Sequence, residues 1–149
     1  MPTKYVHTNL VAKDWKRIAD FYEAVFDCTP LSPRDLSGDW LDKGTGVDDA
    51  HIVGMHMALP GFGEGGPTLE IFQYDVMPDH PKVVANTPGF SHIAFLVDDV
   101  AATAQKVIAH GGRPVGELVT KEVPPVGVLT FQYLYDPEDN MVEIQSWEK

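Results

Sequence analysis

The feature that most restricts how this chain can fold is an internal repeat. The segment beginning at His7 can be laid over the one beginning at His92, and Asp14 follows the first histidine by the same interval as Asp99 follows the second. Each segment opens on a strand-like run, residues 5–12 and 91–97. After each aspartate the apolar period lengthens from about two to about 3.6 residues. Trp15, Ile18, Ala19, Tyr22 and Phe26 then share one stripe, and Val100, Ala104, Val107 and Ile108 share another. Both patterns predict an amphipathic helix with aspartate at the N-cap, where a carboxylate accepts from the orphan N–H groups of the first turn. The first helix should stop near Cys28 to Pro30, because proline disfavours helical geometry in the residue before it. The second should stop at Gly111 and Gly112.

Strand candidates follow each helix. Residues 50–59 and 68–74 are joined by the glycine-rich 60–67, and residues 128–135 and 141–147 by the turn-rich 136–140. Each half reads βαββ with room for one more strand, so the expected architecture is α+β, a duplicated βαβββ-type unit. At 149 residues the chain has room for one domain of two modules, about 1–76 and 89–149, with Pro78, Pro81 and Pro88 marking a linker over 77–88. Residues 31–49 lengthen the first half and read as an insertion whose Arg34, Asp35 and Trp40 could cover a site. Residues 117–126, with Pro124 and Pro125, read as a loop.

The net charge of −11 repels phosphate backbones and anionic lipid headgroups, which argues against nucleic acid and membrane surfaces as partners. Cys28 is the single cysteine, so no intrachain disulfide can form; it reads as a buried helix-end residue. The opening MPTKYVHTNL has no apolar run of signal-peptide type, and no stretch approaches the roughly 20 apolar residues of a membrane span. A soluble cytoplasmic protein is expected.

The repeat also carries the chemistry. His7 and His92 stand near the starts of equivalent strands, and Glu70 in TLEIFQY and Glu143 in MVEIQSW stand in equivalent closing strands between apolar neighbours. A glutamate among apolar residues is costly unless something pairs with it. Imidazole and carboxylate together suit zinc, nickel, cobalt, manganese or iron(II). If the halves pack about a pseudo-twofold axis, His7, Glu70, His92 and Glu143 form a metal-ligand set. Taken singly, each residue also reads as an ordinary structural histidine or a solvent-facing glutamate. His56, in a strand candidate, is the extra histidine best placed to enter a pocket, whereas His80 and His110 read as surface or helix-end residues. GFGEGG, at 61–66, has no lysine and reads as a strand connection rather than a phosphate cradle.

The runs YVHTNLVAKDWKRIADFYEAVFDCTPL, LEIFQY, FSHIAFLVDDVAATAQKVIAHGG and YLYDPEDNMVEIQSW together resemble the vicinal oxygen chelate superfamily, also called glyoxalase/bleomycin resistance/dioxygenase, across nearly the whole chain. The resemblance implies two βαβββ modules curled into an incomplete barrel around one divalent metal, with ligands at His7, Glu70, His92 and Glu143. DPEDNMVEI is similar to the family's closing DPxGNxxEL, with Asp139 where glycine is usual. A His, Glu, His, Glu set is similar to glyoxalase I, whereas methylmalonyl-CoA epimerase has an amide in place of the first carboxylate. Glyoxalase I of bacteria usually holds glutathione with an arginine and an asparagine at the positions that Val11 and Tyr74 occupy here, which argues against a glutathione adduct.

The expected activity is therefore metal-dependent proton transfer next to a carbonyl, of lyase or isomerase/epimerase type, on a small molecule. Glu143 and Glu70 would move the proton, and zinc, nickel, cobalt or manganese stand ahead of iron. The rivals are an Fe(II) extradiol-type dioxygenase using His7, His92 and Glu143, and a metal-free drug-binding protein with aromatic walls such as Trp15, Phe72 and Tyr133. A homodimer is expected, as this family often dimerises and open sheet edges need covering.

Overall fold

The structure, a computed structural model, describes residues 2–149. The chain divides into two compact units, Met1–Asp79 and His80–Lys149. Among the described residues no helix is long and apolar enough to cross a membrane.

In the first unit β1 (His7–Val11) leads into α1 (Trp15–Phe26), followed by β2 (Thr29–Ser37), α2 (Asp39–Thr45), β3 (His51–Ala58) and β4 (Thr68–Tyr74). The sheet order is β1-β4-β3-β2, with β1 parallel to β4 and the other pairs antiparallel. Asp14 caps α1 by accepting from the Arg17 N–H. The helix ends where Asp27 turns left-handed at φ 56° and the N–H groups of Asp27 and Cys28 both return to the Tyr22 carbonyl. Its buried stripe is wider than the pattern showed, since Phe21 and Val25 join Ile18, Ala19, Tyr22 and Phe26. These side chains meet the face of the sheet that carries Met57, Leu69 and Ile71, all fully buried. Burial of each such side chain stabilises the fold by roughly 1.5–3 kcal/mol. The opposite face divides in two. At one end Leu36, Ile52, Phe72 and Tyr74 pack around Leu41 of α2; the other end carries His7, Arg34, His56 and Glu70.

The insertion expected over 31–49 is instead the fourth strand and a short helix. Pro30 and Pro33 disguised β2 as loop in the sequence, but β2 is an edge strand, where a missing N–H is tolerated. The 60–67 segment joins β3 to β4 as an antiparallel connection, as expected.

The second unit repeats the plan: β5 (His92–Leu96), α3 (Val100–Ala109), β6 (Arg113–Pro114), β7 (Val119–Val123), β8 (Gly127–Tyr135) and β9 (Met141–Glu148). The order is β5-β9-β8-β6, and β7 also pairs with β8. The two short strands β6 and β7 lie along β8 as β2 lies along β3, with the Val115 and Gly116 N–H groups sharing the Tyr133 carbonyl between them. Each unit is thus a βαβββ module, its edge strand unbroken in one and split in the other. Asp99 caps α3 through the Ala102 N–H, and Val100, Ala104 and Val107 pack towards Leu134, Val142 and Ile144. Ile108, expected on that stripe, is 42% exposed rather than buried. The loop expected over 117–126 contains β7, because the two prolines fall after the strand, at the turn into β8.

The turn before β9 is built by one carboxylate. Asp136 is fully buried, and its Oδ1 accepts from the N–H groups of Glu138 (2.8 Å) and Asn140 (3.0 Å), while the Asn140 side-chain amide donates to both oxygens at 3.1 and 2.9 Å. Asp139 takes φ 67°, the left-handed conformation for which glycine is usual, and its carboxylate pairs with Arg113.

Candidate metal centre

Register places the four candidate ligands as two equivalent pairs. His7 on β1 stands opposite Thr68 on β4, two residues before Glu70; His92 on β5 stands opposite Met141 on β9, two residues before Glu143. Side chains two apart on a strand share a face, so each histidine meets its glutamate diagonally across a parallel strand pair. His7 Nε2 lies 3.0 Å from Glu70 Oε1, and His92 Nε2 lies 3.1 Å from Glu143 Oε1. The glutamates are mostly buried, 13% and 12% exposed, and the histidines more open.

The donor chemistry fits a divalent ion. The 3.0 and 3.1 Å separations are those of a His–carboxylate hydrogen bond, and neighbouring donors on an octahedral ion, at about 2.1 Å from it, stand about the same distance apart. The nitrogen presented is Nε2 each time, and Ser91 Oγ sits 3.3 Å from the other ring nitrogen of His92, the kind of outer partner that orients a ligating imidazole. Within each unit the arrangement is a pair. Among the described residues no group of three His, Cys, Asp or Glu side chains is arranged to hold a metal.

The carboxylates differ in their second oxygens. Glu70 Oε2 faces the Arg34 guanidinium, with Nε at 3.6 Å, while Arg34 Nη1 donates to Ser32 Oγ at 2.9 Å. Glu143 Oε2 instead accepts from the Gln145 amide at 2.6 Å, and the Gln145 carbonyl accepts from the Trp147 indole at 2.8 Å. One glutamate therefore rests beside a cation and the other at the end of a neutral hydrogen-bond chain. The structure also aligns His56 and Tyr133 as equivalents, opposite Glu70 and Glu143 respectively. The Tyr133 ring stacks at 4.5 Å on His92, and His56 Nε2 lies 2.9 Å from Thr68 Oγ1. Burial pushes the His56 pKa below the ordinary 6.5 and the nearby Arg34 charge acts the same way, against the opposing pull of Glu70.

Sequence reasoning picked out His56 but left Arg34 in a supposed covering loop and missed Gln145. Gln145 was legible in principle, since it lies two residues after Glu143 and so shares its face. Asp35, placed in the same loop, and Asp75 grip His51 from both sides, at 2.8 and 3.1 Å, away from the His7–Glu70 pair. Trp15 does not face the His7–Glu70 pair; with Lys16, Ala19, Pro30 and Met55 it lines a cavity of about 230 Å³ on the α1 side of the sheet.

Comparison with known proteins bears on the fold and the family. The curated glyoxalase domain-containing protein RDO1 of Mycosarcoma maydis is 29% identical over 100 residues, which take in 63% of this chain and 57% of that protein. The chain thus spans less than two thirds of that relative's length. A solved glyoxalase family protein from Bacillus cereus superposes with a TM-score of 0.85 at 17% identity, covering 100% of this chain and 97% of the other. The fosfomycin resistance protein FosX of Listeria monocytogenes, solved with Mn(II) and sulfate, matches with a TM-score of 0.57 at 17% identity over 99% of this chain and 95% of its own. At such identities the likeness shows a shared fold. The pattern of the Glyoxalase/Bleomycin resistance protein/Dioxygenase superfamily matches residues 4–144, nearly the entire chain. With two βαβββ modules, each bringing a histidine to a glutamate at the same register, the chain belongs to that superfamily.

Proposed function

We propose that His7, Glu70, His92 and Glu143 together hold one divalent metal ion, and that the protein moves a proton alpha to the carbonyl of a small molecule, as a lyase or an isomerase. The observation that carries this reading is the identical register of the two His–Glu pairs, with donor separations of 3.0 and 3.1 Å. A divalent ion supplies Lewis acidity, polarising a carbonyl oxygen and making the adjacent C–H more acidic. The chain supplies the rest. Glu143 and Glu70 are the groups that accept and return the proton; the Gln145 amide fixes the orientation of Glu143, and the Arg34–Ser32 contact places a positive charge beside Glu70. Their low exposure limits competition from bulk water. Zinc, nickel, cobalt and manganese suit this donor set ahead of iron.

The test is solvent-deuterium incorporation across a panel of acyl thioesters and α-hydroxy ketones with metal-loaded protein. Exchange at the carbon next to the carbonyl is expected in the wild type and is lost in Glu143→Gln with metal retained. Undiminished exchange in that variant would remove Glu143 from the chemistry. A second reading draws on the Arg34 contact: if Arg34 keeps Glu70 off the metal, His7, His92 and Glu143 remain as the two-histidine, one-carboxylate triad of an Fe(II) dioxygenase, and the bound metal would be iron.

A further inference from the structure

We propose that Arg34 is a substrate anchor, and that the small molecule carries a carboxylate which the Arg34 guanidinium receives. The inference rests on the metal reading above and deepens it. The chain has three arginines. Arg17 lies exposed on α1, and Arg113 is engaged by Asp139 and by the Tyr135 ring. Arg34 is the one placed beside a candidate ligand, and it is only 26% exposed.

Its route to that position is specific. Arg34 lies on β2 and Glu70 on β4, with β3 between them, and the β3 residue opposite Arg34 is Gly54. Neighbouring strands are about 4.8 Å apart, so the guanidinium must cross a whole strand, and Gly54 puts no side chain in its way. Glycine is also required there, as a Cβ would come 1.9 Å from the Ile71 carbonyl oxygen.

The guanidinium arrives with donors to spare. A guanidinium has five N–H groups, and among the described residues the hydrogen bond it makes is Nη1 to Ser32; the 3.6 Å approach of Nε to Glu70 is an ion pair beyond hydrogen-bond distance. Without metal, the Arg34 and Glu70 charges balance. A divalent ion held by Glu70 would draw on the same negative charge and leave Arg34 as a largely buried cation short of a counter-charge, which is costly. A substrate anion restores the balance. A guanidinium matches a carboxylate through two parallel N–H···O bonds, and a single positive charge suits a carboxylate monoanion better than a phosphate dianion. Carbonyl compounds bearing a carboxylate are therefore the favoured substrate class.

The experiment is titration calorimetry on the zinc- or manganese-loaded chain, with levulinate and pyruvate set against their neutral methyl esters and against inorganic phosphate. Wild type, Arg34→Lys and Arg34→Met are compared, each first titrated with the metal alone. Wild type should bind at least one acid tenfold or more tightly than its ester. Arg34→Met should lose that preference, while its metal affinity stays the same or rises because a nearby positive charge is gone. Arg34→Lys should keep part of the preference. An unchanged acid-to-ester ratio in a metal-binding Arg34→Met protein overturns the anchor and leaves the metal reading standing. Arg34-dependent binding of phosphate tighter than that of either acid overturns the carboxylate. Failure of wild type to take up metal removes the reading beneath the inference, and the inference with it.

Discussion

Replacing Asp136 tests whether one buried carboxylate sets the turn that delivers Glu143. Its Oδ1 accepts two backbone N–H groups and both oxygens accept from the Asn140 amide, at 2.8–3.1 Å, in a residue with no exposed surface. A hydrogen bond to a charged acceptor nets about 1.5–3 kcal/mol, and donors left buried without a partner add to the loss. Bonds sharing one carboxylate are not additive, so Asp136→Ala should cost about 3–5 kcal/mol rather than the full sum. Asp136→Asn can keep the two backbone bonds on its amide oxygen but turns an NH₂ towards the Asn140 NH₂, so it should cost about 1.5–3 kcal/mol. Urea denaturation followed by circular dichroism reads both. With a slope of about 2 kcal/mol per molar, the alanine midpoint should fall by about 2 M. An alanine variant within about 0.5 kcal/mol of wild type, or an asparagine variant worse than alanine, would refute the reasoning. Asp139→Gly is the control: removing left-handed strain of about 1 kcal/mol offsets the loss of an exposed Arg113 pair, so the change should be small.

Other residues give sharper signs. Hydrogen bonds from Asp35 and then Asp75 raise the His51 pKa above its ordinary 6.5, so the stabilisation is complete below 6.5 and is lost as pH rises through the higher folded value; the melting-temperature gap between wild type and His51→Gln should shrink from pH 6 to pH 9, and a gap that widens contradicts this. Burial, with the neighbouring Asp27 charge, pushes the Cys28 thiol up to about 12, so it should resist a disulfide reagent at pH 8 in native protein and react on unfolding; prompt native reaction would show otherwise. Gly54→Ala sets a Cβ against the Ile71 carbonyl and should destabilise by about 1–3 kcal/mol or more, with amide exchange accelerating first along β3 and β4; a neutral effect would mean the ladder shifts easily.

Much of this molecule was legible in its sequence, and the reason is repetition. His7 with Glu70 and His92 with Glu143 could be matched by interval and by apolar surroundings, and the fold then placed each pair diagonally across a parallel strand pair. The helix caps Asp14 and Asp99 were readable because capping is local. What escaped depended on partners distant in sequence. The prolines of β2 signal loop unless the strand is known to be an edge, and without β2 the reach of Arg34 to Glu70 across Gly54 is invisible. β7 was hidden by the prolines that follow it. Asp139 could be read as a departure from the usual glycine, but its partner Arg113, 26 residues earlier, is visible only in the fold.

The central claim is that the two His–Glu pairs serve one metal ion, and elemental analysis of untagged protein purified without chelators tests it most directly. One equivalent of zinc, nickel, cobalt or manganese per chain, lost in a His7→Ala, His92→Ala double variant that keeps its circular dichroism, is the predicted result. No metal in the purified protein, with none taken up on reconstitution, would contradict it.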